Sequence, residues 1–151
     1  MVDCLPLTLY SFKNVTLTID NRKVIGFWEG DDAITVERDT DLGTPKVGAD
    51  GASVVSVTAD QSAKLTIKLM PNSAMNQYLE QRVKIMRAGG QAVLAIALRD
   101  TSNGEGGGCT AAVIIKEPSK SYGAEADGRE WVFFCSCWHE NDLAYSPAAN
   151  G

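Results

Sequence analysis

Histidine is nearly absent: His139 is the only one in 151 residues. With no G-x-S-x-G elbow either, a serine or cysteine hydrolase would lack both its base and its nucleophile's usual setting. Long apolar runs are missing too. The longest, Ala92 to Leu98, falls far short of the ~20 residues that a bilayer-spanning helix needs, so no membrane insertion is expected. Positive charge is in deficit, with 14 Lys+Arg against 19 Asp+Glu and a net charge of −5. Gripping duplex nucleic acid requires clustered cations on phosphates, and this chain has no such cluster. Aromatic residues make up 7% and do not gather around a pair of acids, which argues against a sugar-cleaving cleft.

Cysteine is sparse: Cys4, Cys109, Cys135 and Cys137. The opening Met1-Val2-Asp3-Cys4-Leu5-Pro6 carries an acid where a secretory leader carries Lys or Arg, so export by that route is not expected. Reduced thiols and no disulfide framework follow. Cys135, Cys137 and His139 would align three zinc-competent side chains on one strand face. Structural zinc wants a fourth ligand, which Cys109 or Cys4 would have to bring from elsewhere. Read as small core residues, the same cysteines need no metal, and no cofactor is expected. Asp39-x-Asp41-x-Gly43 echoes the opening of a calcium loop but lacks its third acid and closing Glu. Asp31 and Asp32, being adjacent, would point to opposite faces of an extended chain and cannot share a substrate. The Gly104–Gly108 run lacks the Lys-Ser/Thr and strand-to-helix setting of a phosphate loop and reads as a flexible connector.

What is present is period-two patterning. Val15, Leu17 and Ile19 alternate with Thr16, Thr18 and Asp20; Asn21-Arg22 reads as a turn, and Lys23 to Glu29 as a returning strand. Ala33 to Asp39, Ser53 to Ala59, Ala63 to Leu69, Ala92 to Leu98, Thr110 to Glu117 and Arg129 to Trp138 read as further strands. Between them, residues 40–52 hold three Gly and one Pro and read as a long loop, a length that in compact domains usually signals either function or disorder. Pro71-Asn72-Ser73 opens one amphipathic helix through Met75, Tyr78, Leu79, Val83 and Met86, stopped by Gly89-Gly90. In the last strand Trp131, Phe133, Cys135 and Cys137 occupy one side and Val132, Phe134 and Trp138 the other. Both sides are apolar, so Val132, Phe134 and Trp138 are the candidate subunit interface. The expectation is a single mainly β domain over residues 1–151, an antiparallel sandwich or barrel with one packed helix, ending in a flexible tail from about residue 140 to 151.

Residues 26–39, Gly-Phe-Trp-Glu-Gly-Asp-Asp-Ala-Ile-Thr-Val-Glu-Arg-Asp, followed by Val47-Gly48-Ala49-Asp50-Gly51, Ile115-Lys116-Glu117-Pro118 and Gly128-Arg129-Glu130-Trp131, resemble the tail tube proteins of contractile-tailed bacteriophages. The resemblance runs from about Phe12 to Cys135. It implies a non-enzymatic scaffold forming hexameric rings that stack into a DNA conduit, with the tail sheath outside and terminator and baseplate proteins at the ends. Assembly would take place in the host cytoplasm. Under this reading Asp41, Leu42, Gly43, Thr44, Pro45, Lys46, Val47, Gly48, Ala49 and Asp50 form a loop to the neighbouring ring. Thr35, Glu37 and Asp39, with Ser56, Thr58 and Asp60 on an opposing strand, are the first candidates for the lumen. Lys64, Thr66 and Lys68 are a second polar face. A polar or acidic wall would let DNA slide rather than stall. Two alternatives stay open: the tube of a bacterial contractile injection or secretion apparatus, and a small metal- or sugar-binding β-sandwich enzyme.

Overall fold

The computed structural model describes Leu7, residues 9–102 and residues 104–140. Cys4 and the expected tail after Glu140 lie outside the described residues. A single 3₁₀ turn, Phe12–Asn14, leads into β1 (Val15–Ile19), which hairpins to β2 (Arg22–Lys23). The turn falls one residue earlier than the sequence suggests. Asp20 and Asn21 take left-handed backbone angles, φ 52° and 63°, the mirror-type turn in which short polar side chains are favoured. The expected strand from Lys23 to Glu29 stops after Lys23, and beyond it only Phe27 bridges to Leu69. Gly26, at φ +79°, bends the chain there against Ser73.

Next come β3 (Ile34–Arg38), β4 (Gly43–Val47), β5 (Ser53–Val57), β6 (Ala63–Leu69), α1 (Ala74–Arg87), β7 (Leu94–Asp100), β8 (Glu105–Lys116), β9 (Arg129–Cys135) and β10 (His139–Glu140). Eight of these strands form one antiparallel sheet in the order β2-β1-β7-β8-β9-β6-β3, with β10 joining β8; β4 and β5 pair only with each other. The architecture is mainly β with one packed helix, as the patterning implies. The sheet is open, since its terminal strands β2 and β3 are not hydrogen-bonded to one another.

One face of the sheet carries the core. Leu17, Ile19, Leu65, Ile67, Leu69, Leu94, Ile96, Trp131 and Phe133 are buried, and α1 lays Met75, Leu79 and Val83 onto them. Two polar ties fix the helix. Trp131 Nε1 donates to Asn76 Oδ1 at 2.9 Å, and Asn76 Nδ2 donates to the carbonyl of Met70 at 2.8 Å. At the other side, Tyr78 donates to Asp20 Oδ2 at 2.5 Å, Arg82 Nη2 donates to the Tyr78 hydroxyl at 2.8 Å, and Asp20 Oδ1 accepts from the Ala95 amide at 2.9 Å. Helix, turn and β7 are thereby held together at one acid. The expected burial of both faces of Ala92 to Leu98 does not hold. Leu94 and Ile96 face the core while Val93, Ala95 and Ala97 are exposed.

The glycine run expected as a connector is instead the start of β8. Gly106, Gly107 and Gly108 pair with Arg99, Leu98 and Ala97, and the reason for glycine is space. A Cβ on Gly106 would lie 2.4 Å from the Leu98 carbonyl oxygen, and one on Gly107 would lie 2.6 Å from the Trp138 ring. A side chain at either position would meet backbone or a buried indole.

Candidate functional site

The segment 40–52, expected as a loop, contains a strand. β4 and β5 form a hairpin in the register Gly43↔Val57, Thr44↔Ser56, Pro45↔Val55, Lys46↔Val54, Val47↔Ser53. Its tip, Gly48 to Ala52, closes through a Gly48 amide bond to the Ala52 carbonyl at 2.7 Å, and Gly51 takes φ +92°. Pro45 is tolerated because a two-stranded ribbon leaves one edge of each strand without a ladder. Asp41 and Leu42 precede β4, and Gly48, Ala49 and Asp50 belong to the tip.

Directly opposed residues share a face, so this arm is amphipathic. Pro45, Val47, Val55 and Val57 lie on one side with Gly43 and Ser53; Thr44, Lys46, Val54 and Ser56 lie on the other. Val47, Val54, Val55 and Val57 are between 59% and 72% exposed. A lone two-stranded ribbon is marginal in water, and an exposed valine face is a docking surface in search of a partner.

The arm's root is polar. The Thr58 amide donates to the Leu42 carbonyl at 3.0 Å. Asp60 accepts from the Ser62 amide at 2.9 Å and from the Thr40 hydroxyl at 3.2 Å, while Asp39 Oδ2 accepts from the Ser62 hydroxyl at 2.8 Å. The bonds from Ser62 hold the Asp60 carboxyl below the usual carboxylate range. The sequence reading set Ser56, Thr58 and Asp60 opposite Thr35, Glu37 and Asp39, and this is corrected. β3 pairs with β6, not β5, so Ser56 lies on the arm while Thr58 and Asp60 join Asp39 at its root. Alternation alone cannot say which of two polar-faced strands is the partner.

Thr35 and Glu37 face away from the core on β3, opposite Thr66 and Lys64 of β6. The polar faces ranked separately from the sequence are therefore one surface. It continues onto β9, where Glu130 stands opposite Lys68, Val132 opposite Thr66 and Phe134 opposite Lys64. Each β6 lysine thus has an acid directly across from it, Glu37 for Lys64 and Glu130 for Lys68, and Asp39 Oδ1 lies 3.9 Å from Lys64 Nζ. The lysine charge on this face is balanced strand by strand.

Of the interface candidates, Val132 and Phe134 are half-buried on this outer face, but Trp138 is not with them. It is 2% exposed and packs over Gly107. The strand breaks at Ser136 and Cys137, which slips the alternation by one and turns the indole inward. Trp138 is thus unavailable as an exposed interface residue.

The same break separates the zinc candidates. Cys135 is fully buried, whereas Cys137 Sγ lies 3.2 Å from His139 Nε2 and near Gln61 Oε1. Among the described residues no three His, Cys, Asp or Glu side chains converge. Burial pushes the Cys135 thiol up to about 12. In the folded protein at pH 8, iodoacetamide should therefore alkylate Cys137 and spare Cys135; peptide mapping that finds Cys135 modified equally fast would contradict this placement.

The second surface of note is a groove of about 760 Å³ where the free side of β3 faces β1, β7 and the start of β8. Tyr10, Phe12, Val36, Leu98 and Trp138 line it, with acids at its margin. Among the described residues no helix is long and apolar enough to cross a membrane.

The chain thus presents an open antiparallel sheet with one packed helix and a free amphipathic arm. The chain belongs to the bacteriophage PhiTE tail tube protein family, whose model it matches over residues 7–141. Known structures agree in fold. The anti-feeding prophage cap that terminates the tube is 10% identical with a TM-score of 0.58, covering 94% of this chain and 97% of its own. The tube complex with sheath of an extracellular contractile injection system, PVC, in the extended state, is 11% identical at 0.58, covering 86% and 89%. The PVC sheath/tube terminator is 12% identical at 0.54, covering 92% and 99%. No curated protein sequence matches significantly. The chain is a bacteriophage tail tube protein, and family and fold alike are those of structural tube proteins.

Proposed function

We propose that this protein forms hexameric rings that stack into the hollow tube of a contractile tail, through which DNA passes without specific binding. The observation that carries the reading is the arm: a hairpin with four exposed valines has no use in a monomer but can join one ring to the next. The open edges at β2 and β3 supply the sideways contacts, because strand addition between neighbours removes unpaired backbone groups. Sheath protein would cover the outside, terminator and baseplate proteins the two ends, and assembly would take place in the host cytoplasm before the tube reaches the virion tail. One domain, residues 1–151, would carry all of this. Negative-stain microscopy of concentrated purified protein tests it: tubes of uniform diameter are expected, and a strictly monomeric protein would end the proposal.

The outer face with Thr35 and Glu37 on β3, Lys64, Thr66 and Lys68 on β6, and Asp39 at its margin is the proposed lumenal wall. Acids opposite each lysine deny DNA a row of unpaired cations, so sliding is not arrested by counterion release. Glu37→Lys would set two lysines directly across from each other. The expected outcome is assembled tubes, a stability loss below about 1 kcal/mol, and impaired DNA delivery in particles carrying the change. Normal ejection would argue against a lumenal Glu37.

A further inference from the structure

We infer that the cleft where the first turn of α1 meets β9 is a binding site for an oxyanion, a phosphate or a carboxylate. The inference stands apart from the tube reading. Its centre is Arg129, which shares the core-facing side of β9 with Trp131 and Phe133 and is only 8% exposed. A cation at that depth is costly unless an anion or a full set of acceptors meets it. Arg129 has neither. The ion pairs among the described residues leave it out. Its Nη1 donates to the carbonyls of Asp127 at 3.1 Å and Gly128 at 3.5 Å, and the Tyr122 ring lies 5.7 Å from Cζ. Nε and Nη2 donate to no acceptor among the described residues. Neither is sealed from outside, because Trp138 Nε1 is the one sealed side-chain donor there without a partner.

The surroundings are poor in free negative charge. Besides Arg129, the cleft of about 500 Å³ is lined by Ser73, Ala74 and Gln77 at the start of α1 and by Lys120 from the segment between β8 and β9. α1 has 14 residues, no acid in its first turn and no side-chain cap, since the Ser73 hydroxyl donates instead to the Ile25 carbonyl at 2.6 Å. Its first amides therefore keep their partial positive charge beside the guanidinium. The one acid lining the cleft, Glu80, is bonded to Lys120. That bond holds the Lys120 ammonium above its ordinary range while Arg129 pulls it the other way, so two cations share one carboxylate. An oxyanion supplies acceptors to the free guanidinium donors and to the helix amides together.

The test reads Arg129 directly. The full chain is treated at pH 8 with methylglyoxal, which modifies accessible guanidinium groups, at one ionic strength set with chloride, inorganic phosphate or acetate. Peptide mapping follows each arginine separately. In about 40 mM phosphate, modification of Arg129 should slow about fivefold relative to chloride, the competition factor for a Kd on the order of 10 mM. Exposed Arg99 should keep its rate. Acetate protecting as well as phosphate assigns the site to carboxylates, such as an Asp or Glu side chain from a neighbouring protein; protection by phosphate alone assigns it to phosphate. Protection by neither, equal slowing at Arg99, or an Arg129 that stays unmodified in chloride while Arg99 reacts fully overturns the site. Gln77→Glu is the companion variant, since exposed Gln77 lines the cleft in the first turns of α1. Its carboxylate should stand in for the ligand, so that protection by phosphate falls below about twofold and the thermal midpoint rises by about 1–4 °C. Wild-type protection or an unmoved midpoint in this variant counts against the site.

Discussion

Replacing residues 43–57 with a short Gly-Ser linker is expected to leave a folded protein that no longer forms tubes. The arm contributes no residue to the core cluster, and its ends already meet, since the Thr58 amide donates to the Leu42 carbonyl at 3.0 Å. A brief turn between those residues therefore closes the chain without strain on the root bonds of Asp39, Thr40, Asp60 and Ser62. Unfolding in urea should shift by no more than about 1 kcal/mol, in keeping with surface changes away from the core. Tube growth, by contrast, should be lost outright, because the ribbon is itself the proposed contact between rings. Electron microscopy and circular dichroism on one preparation read both effects. Tubes of ordinary length from the deleted chain would mean that stacking uses another surface. Excising only residues 42–49, the cut a loop would suggest, is a poorer experiment, since it removes β4 and leaves β5 an unpaired strand of three valines.

How much of this was legible in the sequence depended on whether one strand's own residues carried the information. β6 and β9 alternate cleanly because one side of each is core, and α1 repeats at three and four for the same reason, so β6 and α1 read correctly and β9 did as far as Cys135. Where partners decide, reading failed. Thr44-Pro45-Lys46-Val47 has nothing to bury within its own chain, and its glycine-rich flanks look like a loop until Ser53–Val57 lies opposite. Gly106, Gly107 and Gly108 look flexible but are confined, because their lack of side chains answers to Leu98, Trp138 and Ile96, which are distant in sequence. Trp138 was set on the wrong side by a one-residue slip at Ser136 and Cys137, to which period-two reasoning is blind. The two polar faces became one only when register put Glu37 beside Lys64. The family itself was recognisable from residues 26–39 and their followers, since the bend at Gly26 and the entry into β3 are local.

Trp131→Ala should cost about 3–5 kcal/mol of folding stability, the range for removing a buried aromatic side chain. Trp131 is fully buried between the sheet and the start of α1, so its loss opens a cavity at the junction that seats the helix. It also removes the donor to Asn76 Oδ1, leaving a buried amide oxygen unpaired at a further cost of about 1–3 kcal/mol when that group stays dry. Against a total stability of about 5–15 kcal/mol for a domain of this kind, the variant should be at the edge of folding at 37 °C. Asn76→Ala separates the two contributions: it strands the indole N–H but keeps the ring, and the Met70 carbonyl still accepts from the Ser73 amide at 3.0 Å, so its loss should stay near the hydrogen-bond range. If the tie matters as drawn, the double variant is less destabilised than the two single losses added together, because the Trp131–Asn76 bond cannot be lost twice. Strict additivity in urea unfolding would mean that helix and sheet are held by packing alone. It would also predict that Trp131→Phe, which refills most of the cavity without a donor, restores nearly wild-type stability and tube formation, whereas a working Trp131–Asn76 bond leaves that variant measurably weaker.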